Sequence, residues 1–353
     1  MTGVAVARAL LIGTAAGAAC AWLHTPLPWL IGPLVVCAVA SASGLKLHSV
    51  PALRGAGQWA IGTALGLYFT PAVLVRVAQL WPAILVGVCW ALAVGLGCAW
   101  ALRRWAGADP ATAFFAGAVG GASEMALQGE RNGGSVETIA AAHSLRIMMV
   151  VIILPFTFRW LDLHGADLYR PGQQDHDVLR LAGVVAATCA AALALRATRS
   201  PNVWVIGPLL GAGLMTVAGL APTGLPAWVV NTGQVFIGVA LGTRFRPGFF
   251  SRAPRLLAVV MASTLVSILA SALFAWALGW VVGLPVATMV LATSPGGIAE
   301  MSLTARVLGF GVPIVTVFHV TRMVALVLVA GTLYSRLAAR FGWRGRAAVE
   351  PVR

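Results

Sequence analysis

The sequence predicts an all-α polytopic membrane protein: an inverted repeat of about five spans plus one broken or re-entrant segment per half. Three observations carry this reading. Of 353 residues, 59% are hydrophobic and 10% charged, against about 25% charged in soluble domains. Apolar runs of about 18 residues or more, long enough to cross a bilayer, recur from end to end. The chain also repeats itself at a nearly fixed offset.

Trp29-Leu30-Ile31-Gly32-Pro33-Leu34 returns as Trp204-Val205-Ile206-Gly207-Pro208-Leu209, 175 residues later. From residue 57 the offset is 176: Gly57–Phe69 matches Gly233–Phe245 at eight of thirteen positions. Gly120-Gly121-Ala122-Ser123-Glu124-Met125 is answered by Gly296-Gly297-Ile298-Ala299-Glu300-Met301, and His143-x-x-Arg146 by His319-x-x-Arg322.

Each half contains six apolar segments. The first has 5–22, 27–44, 55–70, 80–102, 110–128 and 134–158; the second has 178–196, 202–220, 228–243, 255–281, 285–303 and 309–335. The implied organisation is a first repeat over 1–160, an extracytoplasmic linker over 161–177, a second repeat over 178–335 and a basic cytoplasmic tail over 336–353. Segment 1–23 resembles a signal peptide, but its counterpart at 178–197 argues for a retained span.

Charge sets the orientation, because cytoplasmic loops collect Lys and Arg. Arg244, Arg246, Arg252 and Arg255 precede the tenth segment, and Arg336, Arg340, Arg344 and Arg346 follow the twelfth. Both clusters face the cytoplasm only if one of the three intervening segments fails to cross. Segment 285–303, interrupted by Ser294-Pro295-Gly296-Gly297, is the natural one. Treating 110–128 alike leaves five crossings per half, and an odd number inverts the second copy. Both termini are then cytoplasmic, with Arg8, Lys46, Arg54, Arg103, Arg104, Arg196 and Arg199 inside. The linker with Asp162, Asp167, Asp175 and Asp177 lies outside.

The net charge of +14 follows from this rule and needs no nucleic acid. Cys20, Cys37, Cys89, Cys98 and Cys189 lie in apolar stretches without a CxxC pair, as expected of small hydrophobes. There is no GKS/T loop, HExxH or metal-spaced His cluster, so no cofactor or metal is expected. His24, His48, His164 and His176 read as loop residues, not ligands. Trp29, Trp81 and Trp204 read mostly as interface anchors.

Glu300 is the only acidic residue between Asp177 and Glu350. Ionisable groups at membrane depth are costly and suggest function. Paired glycines let a helix unwind, and inverted-repeat transporters bind substrate at such breaks. The candidate substrate-binding residues are Gly120, Gly121, Glu124, His143 and Arg146 with Gly296, Gly297, Glu300, His319 and Arg322; Gln58 and Gln234 are polar additions. At i, i+3 each His and Arg share a helix face. A buried Arg calls for an anion, and Glu124 and Glu300, direct or crossed, are the economical partners. A structural salt-bridge lock is the competing reading. Gly62-xxx-Gly66 and Gly238-xxx-Gly242 suggest close helix packing and leave a homodimer open.

With these paired motifs the chain resembles the AbrB-type membrane protein family of Gram-negative bacteria, over roughly residues 10–335. That resemblance implies internal duplication over the whole length and a likeness to inverted-repeat transporters. Its members are described as regulators of gene expression, and an older label is ammonia monooxygenase. This sequence has no helix-turn-helix for direct nucleic-acid binding and no copper-ligand His cluster for an oxygenase. The expectation is a non-enzymatic secondary transporter of the inner membrane, proton-coupled, acting on a small solute (organic anions included) and affecting transcription indirectly. The alternative is a membrane sensor or regulator without transport.

Overall fold

The computed structural model describes residues 2–165, 178–198, 200–220, 224–245 and 247–343. The acidic run Asp167–Asp177, Arg199, Arg246 and the tail beyond Trp343 lie outside them. Every described element is helical. The first half contains α1 (Thr2–Trp22), α2 (Pro28–Ala42), α3 (Pro51–Gly66), α4 (Pro71–Gln79), α5 (Trp81–Ala106), α6 (Pro110–Gly117), α7 (Ala122–Arg131) and α8 (Val136–Trp160). The second contains α9 (Val178–Ala197), α10 (Val203–Val217), α11 (Ala227–Gly242), α12 (Phe249–Arg252), α13 (Pro254–Val282), α14 (Val286–Thr293), α15 (Ile298–Leu308) and α16 (Val312–Phe341).

Six of these helices, α1, α5, α8, α9, α13 and α16, are long and apolar enough to cross a membrane. The helices α2, α3, α10 and α11 have only 15 or 16 residues. At ~1.5 Å per residue that is about 24 Å at most, short of the ~30 Å hydrocarbon layer. They can be short because they pack on one another in the middle of the protein. Pro residues start many of the helices, where the missing N–H costs nothing.

The two broken segments are re-entrant hairpins. α6 and α7 are separated by 118–121, and the chain leaving α7 returns to the start of α6, where Ser135 N–H donates to Thr112 Oγ1 at 2.7 Å. The second copy repeats this: Gly311 N–H donates to Thr288 Oγ1 at 3.2 Å. Neither segment crosses, which leaves five apolar segments per half, three of them long enough by themselves to span.

Inversion follows from helix direction. The copies α5 and α13 pack on each other, with Cys98 Sγ 3.3 Å from Ser267 Oγ and the Trp90 indole N–H donating to Ser271 Oγ at 3.1 Å. Trp90 also stacks on Phe274 at 4.4 Å. Higher numbers on α5 meet lower numbers on α13, so the two copies run antiparallel.

Glycines make the close approach at the centre possible. A Cβ on Gly57 would fall 2.6 Å from the Gly233 carbonyl, and one on Gly233 would fall 3.2 Å from that of Gly57. Copy touches copy here, at the pseudo-two-fold axis. The Gly-xxx-Gly stripes obey the same symmetry: Gly62 and Gly66 face the Val205 and Leu209 carbonyls, while Gly238 and Gly242 face those of Leu30 and Leu34. Both stripes are consumed inside the chain, so a homodimer cannot use them.

Candidate functional site

The GG-x-x-EM signature is a packing device at each hairpin tip. The first glycine leaves room for the methionine five residues on: a Cβ on Gly120 would meet the Met125 side chain at 3.1 Å, and one on Gly296 would meet that of Met301 at 2.5 Å. The second leaves room for the carboxylate three residues on. Glu124 Oε2 folds back over Gly121, and Glu300 Oε2 over Gly297, into the space a Cβ would take. Both glutamates sit in the first turn of a helix, α7 or α15, where the helix dipole favours negative charge.

His143, Arg146, His319 and Arg322 serve the other limb of each hairpin. Arg146 donates from Nη1 to the carbonyls of Ala116 (3.3 Å) and Gly117 (3.1 Å), and from Nη2 to Ala118 (2.8 Å). Arg322 donates to the carbonyls of Ser294 and Gly296. These are orphan acceptors at the C-terminal ends of α6 and α14, which have no partners of their own. Each Arg also lies 2.8 Å from Nδ1 of its histidine. A guanidinium has no acceptor, so Nδ1 must accept and Nε2 carries the hydrogen. That hydrogen goes to the carbonyl of Phe115 (2.9 Å) or Leu291 (2.8 Å).

One expectation is thereby corrected. Among the described residues neither arginine pairs with Glu124 or Glu300, directly or crossed; backbone carbonyls satisfy them instead. The histidines are held neutral, because protonating Nδ1 would break its bond to Arg. Arg146 and Arg322 are each 5% exposed, both histidines 0% and Glu300 9%; Glu124 is half-buried. The two guanidinium groups lie within electrostatic range of each other, so two positive charges lie near the centre, offset by half-helix C-termini. Nε of each arginine lacks a partner.

Glu300 is itself enclosed and is not among the described residues that line a nearby cavity of about 1350 Å³. It lies within electrostatic range of Arg54 on α3 and Arg244 after α11, both of which line that cavity with Lys46, His48, Gln58 and Trp204. Arg244 Nη1 donates to Ser144 Oγ at 3.4 Å, and Gln58 Nε2 to Asn202 Oδ1 at 3.0 Å. Among the described residues, Glu137, exposed at the start of α8, is the one carboxylate in the lining. Trp204 stands against Gly55 in this cavity wall, not at an interface as the sequence suggested. His48, a loop residue without a role in the sequence reading, is also on the wall.

Four counterparts of the cavity lining, across the pseudo-two-fold, are enclosed. Leu67 (for Thr243), Tyr68 (for Arg244), Val230 (for Arg54) and Gln234 (for Gln58) are all buried. Tyr68, Phe69, Leu225, Val230, Phe310 and Val312 belong to one apolar core there.

Of the predicted site residues, the structure brings each hairpin's Gly, Glu, His and Arg together. Gln58 reaches the open cavity, while Gln234 is enclosed with its Oε1 unpartnered. Arg54 and Arg244 were missed because the charge rule had already accounted for them. Their signal was a mismatch between copies: Arg244 stands where the first copy has Tyr68 in an otherwise matching stretch.

Fold and site together define a polytopic helical membrane protein with an inverted repeat, two re-entrant hairpins and a cavity lined by Arg54 and Arg244. The chain belongs to the AbrB family, described as "Transition state regulatory protein AbrB", which matches residues 4–338. It is 26% identical over 333 residues to "Uncharacterized protein YhjN" of Bacillus subtilis (strain 168), covering 88% of this chain and 87% of that one. It is 23% identical over 313 residues to "Putative regulator AbrB" of Escherichia coli (strain K12), covering 87% and 88%. No solved structure matches.

Proposed function

We propose that this protein is a secondary transporter of the bacterial inner membrane, with both termini cytoplasmic, that moves a small solute in a proton-coupled cycle. The observation that carries this reading is the asymmetry of two otherwise equivalent routes to the centre. One is an open cavity, and its counterpart is a packed apolar core. Two inverted copies can exchange these roles, which is the geometry of alternating access. The hairpin tips supply fixed backbone at the point of exchange. Glu300 and Glu124 are the groups that take up and release the proton, since the histidines are committed to their arginines. On the positive-inside rule the open cavity, bearing Lys46, Arg54 and Arg244, faces the cytoplasm. The protein is not an enzyme on this reading, and any effect on transcription follows from what it moves.

The test is flux in proteoliposomes, with solutes first selected by thermal shift at two pH values, since a ligand that binds only the native state raises its apparent stability. Glu300→Gln and Glu124→Gln abolish flux while the protein still inserts and folds. Full transport by both variants would overturn the assignment.

The regulatory wording of the family description and of the Escherichia coli relative's name favours a second reading, a sensor that binds ligand without turnover and signals through the basic tail. Truncation after Trp343 separates the two. A transporter keeps its flux, whereas a tail-signalling sensor keeps binding and loses its transcriptional effect.

A further inference from the structure

The cavity's charge breaks the symmetry that its backbone obeys. Arg54 and Arg244 lie within electrostatic range of each other as well as of Glu300, and each replaces an uncharged, buried side chain of the other copy. Like charges this close repel, and low-dielectric walls strengthen the repulsion. Folding alone gives no reason to retain both. Lys46 adds a third cation to the lining, and Gln58, Ser144 and Thr243 add hydrogen-bonding groups. Glu137 lines the cavity at the start of α8, and Glu300, outside the lining, lies within electrostatic range of both arginines.

We propose that this cavity binds a small di- or tricarboxylate, gripped by Arg54 and Arg244, and that Glu300 is the internal anion competing for the same two guanidinium groups. The proposal deepens the transporter reading and rests on it for the site's purpose, though binding is measured without flux. Guanidinium forks match carboxylates in planar, two-point geometry. Two forks favour an anion with at least two carboxylates. A single carboxylate would leave one cation facing the other.

The experiment is calorimetric titration of the purified full-length protein in detergent with citrate and succinate, with acetate, inorganic phosphate and spermidine as comparators. Citrate or succinate is expected to bind at least tenfold more tightly than acetate or phosphate, and spermidine not at all. Arg54→Gln/Arg244→Gln weakens that binding by about tenfold or more, whereas Arg76→Gln, on α4 away from the cavity, leaves it unchanged. Glu300→Gln, which removes the competitor and keeps its shape, tightens binding several-fold. A thermal melt of each apo variant confirms folding, and Arg54→Lys/Arg244→Lys, which keeps the charge, retains intermediate affinity. Absence of di- and tricarboxylate binding, preference for spermidine, or affinity untouched by the double Gln variant would each overturn the proposal. Tight carboxylate binding without flux would sink the transporter reading and leave this site standing. Flux of another solute, with no carboxylate bound, would do the reverse.

Discussion

Arg322 Nη2 lies 2.8 Å from His319 Nδ1, and His319 Nε2 lies 2.8 Å from the Leu291 carbonyl. The pair forms a relay from α16 to the broken end of α14, and His143 with Arg146 repeats it from α8 to α6. A buried carbonyl without a donor costs ~1–3 kcal/mol, and each relay satisfies several. The arginines hold the hairpins in shape.

Loss of a relay should therefore register in stability before any effect on ligand affinity. Arg322→Gln strands at least two buried acceptors and should cost ~2–6 kcal/mol, summed from the same per-group cost. The expected result is a clear fall in melting temperature in detergent, with His319→Ala smaller in the same direction. An Arg322→Gln protein as stable as the parent would refute the structural role.

The two glycine classes should behave differently. At Gly297 a Cβ meets only the flexible end of Glu300, whereas at Gly238 it meets the Leu30 backbone carbonyl at 2.5 Å. Gly297→Ala should fold with little loss and swing the carboxylate away, mimicking Glu300→Gln in binding assays. Gly238→Ala must push α11 off α2 and should cost ~1–3 kcal/mol or more, read as loss of monodisperse protein on size exclusion.

The antiparallel packing of copies can be trapped covalently. Ser267→Cys places a thiol beside Cys98, whose Sγ lies 3.3 Å from Ser267 Oγ. Mild oxidation should join the halves, so that cleavage at a protease site inserted in the 166–177 linker leaves them linked until reduced. Parallel repeats would leave the halves separable under oxidising conditions.

The difference in burial predicts a labelling difference between matched positions. In a cysteine-free background, Thr243→Cys, on the cavity wall, should react with a membrane-impermeant thiol reagent. Its counterpart Leu67→Cys, buried against Val184 and Ala212, should resist. Equal labelling of the two positions would contradict that difference.

Much of this architecture was readable from residue order alone. The duplication, the interruption at Gly296-Gly297 and the charge clusters flanking three apolar segments together demanded a non-crossing element and an inverted copy. Those are local signals: a hydrocarbon layer allows few ways to satisfy backbone polar groups, so spacing and glycine pairs say a great deal. The same logic misassigned the partners of Arg146 and Arg322. It counted charges and had no means of seeing that the ends of α6 and α14 would offer carbonyls in the right place.

The sequence by itself determined a helical membrane protein of two inverted units, each with a broken segment bearing a glutamate and followed by a His–Arg pair. Only the tertiary structure decided that the arginines serve the backbone, that Glu300 lies within range of Arg54 and Arg244, and that positions lining a cavity in one place are buried in their counterparts. The physical reason is that these depend on which groups meet across distant segments. Arg54 and Arg244 are 190 positions apart in the chain, and nothing local to either one says that they share a wall.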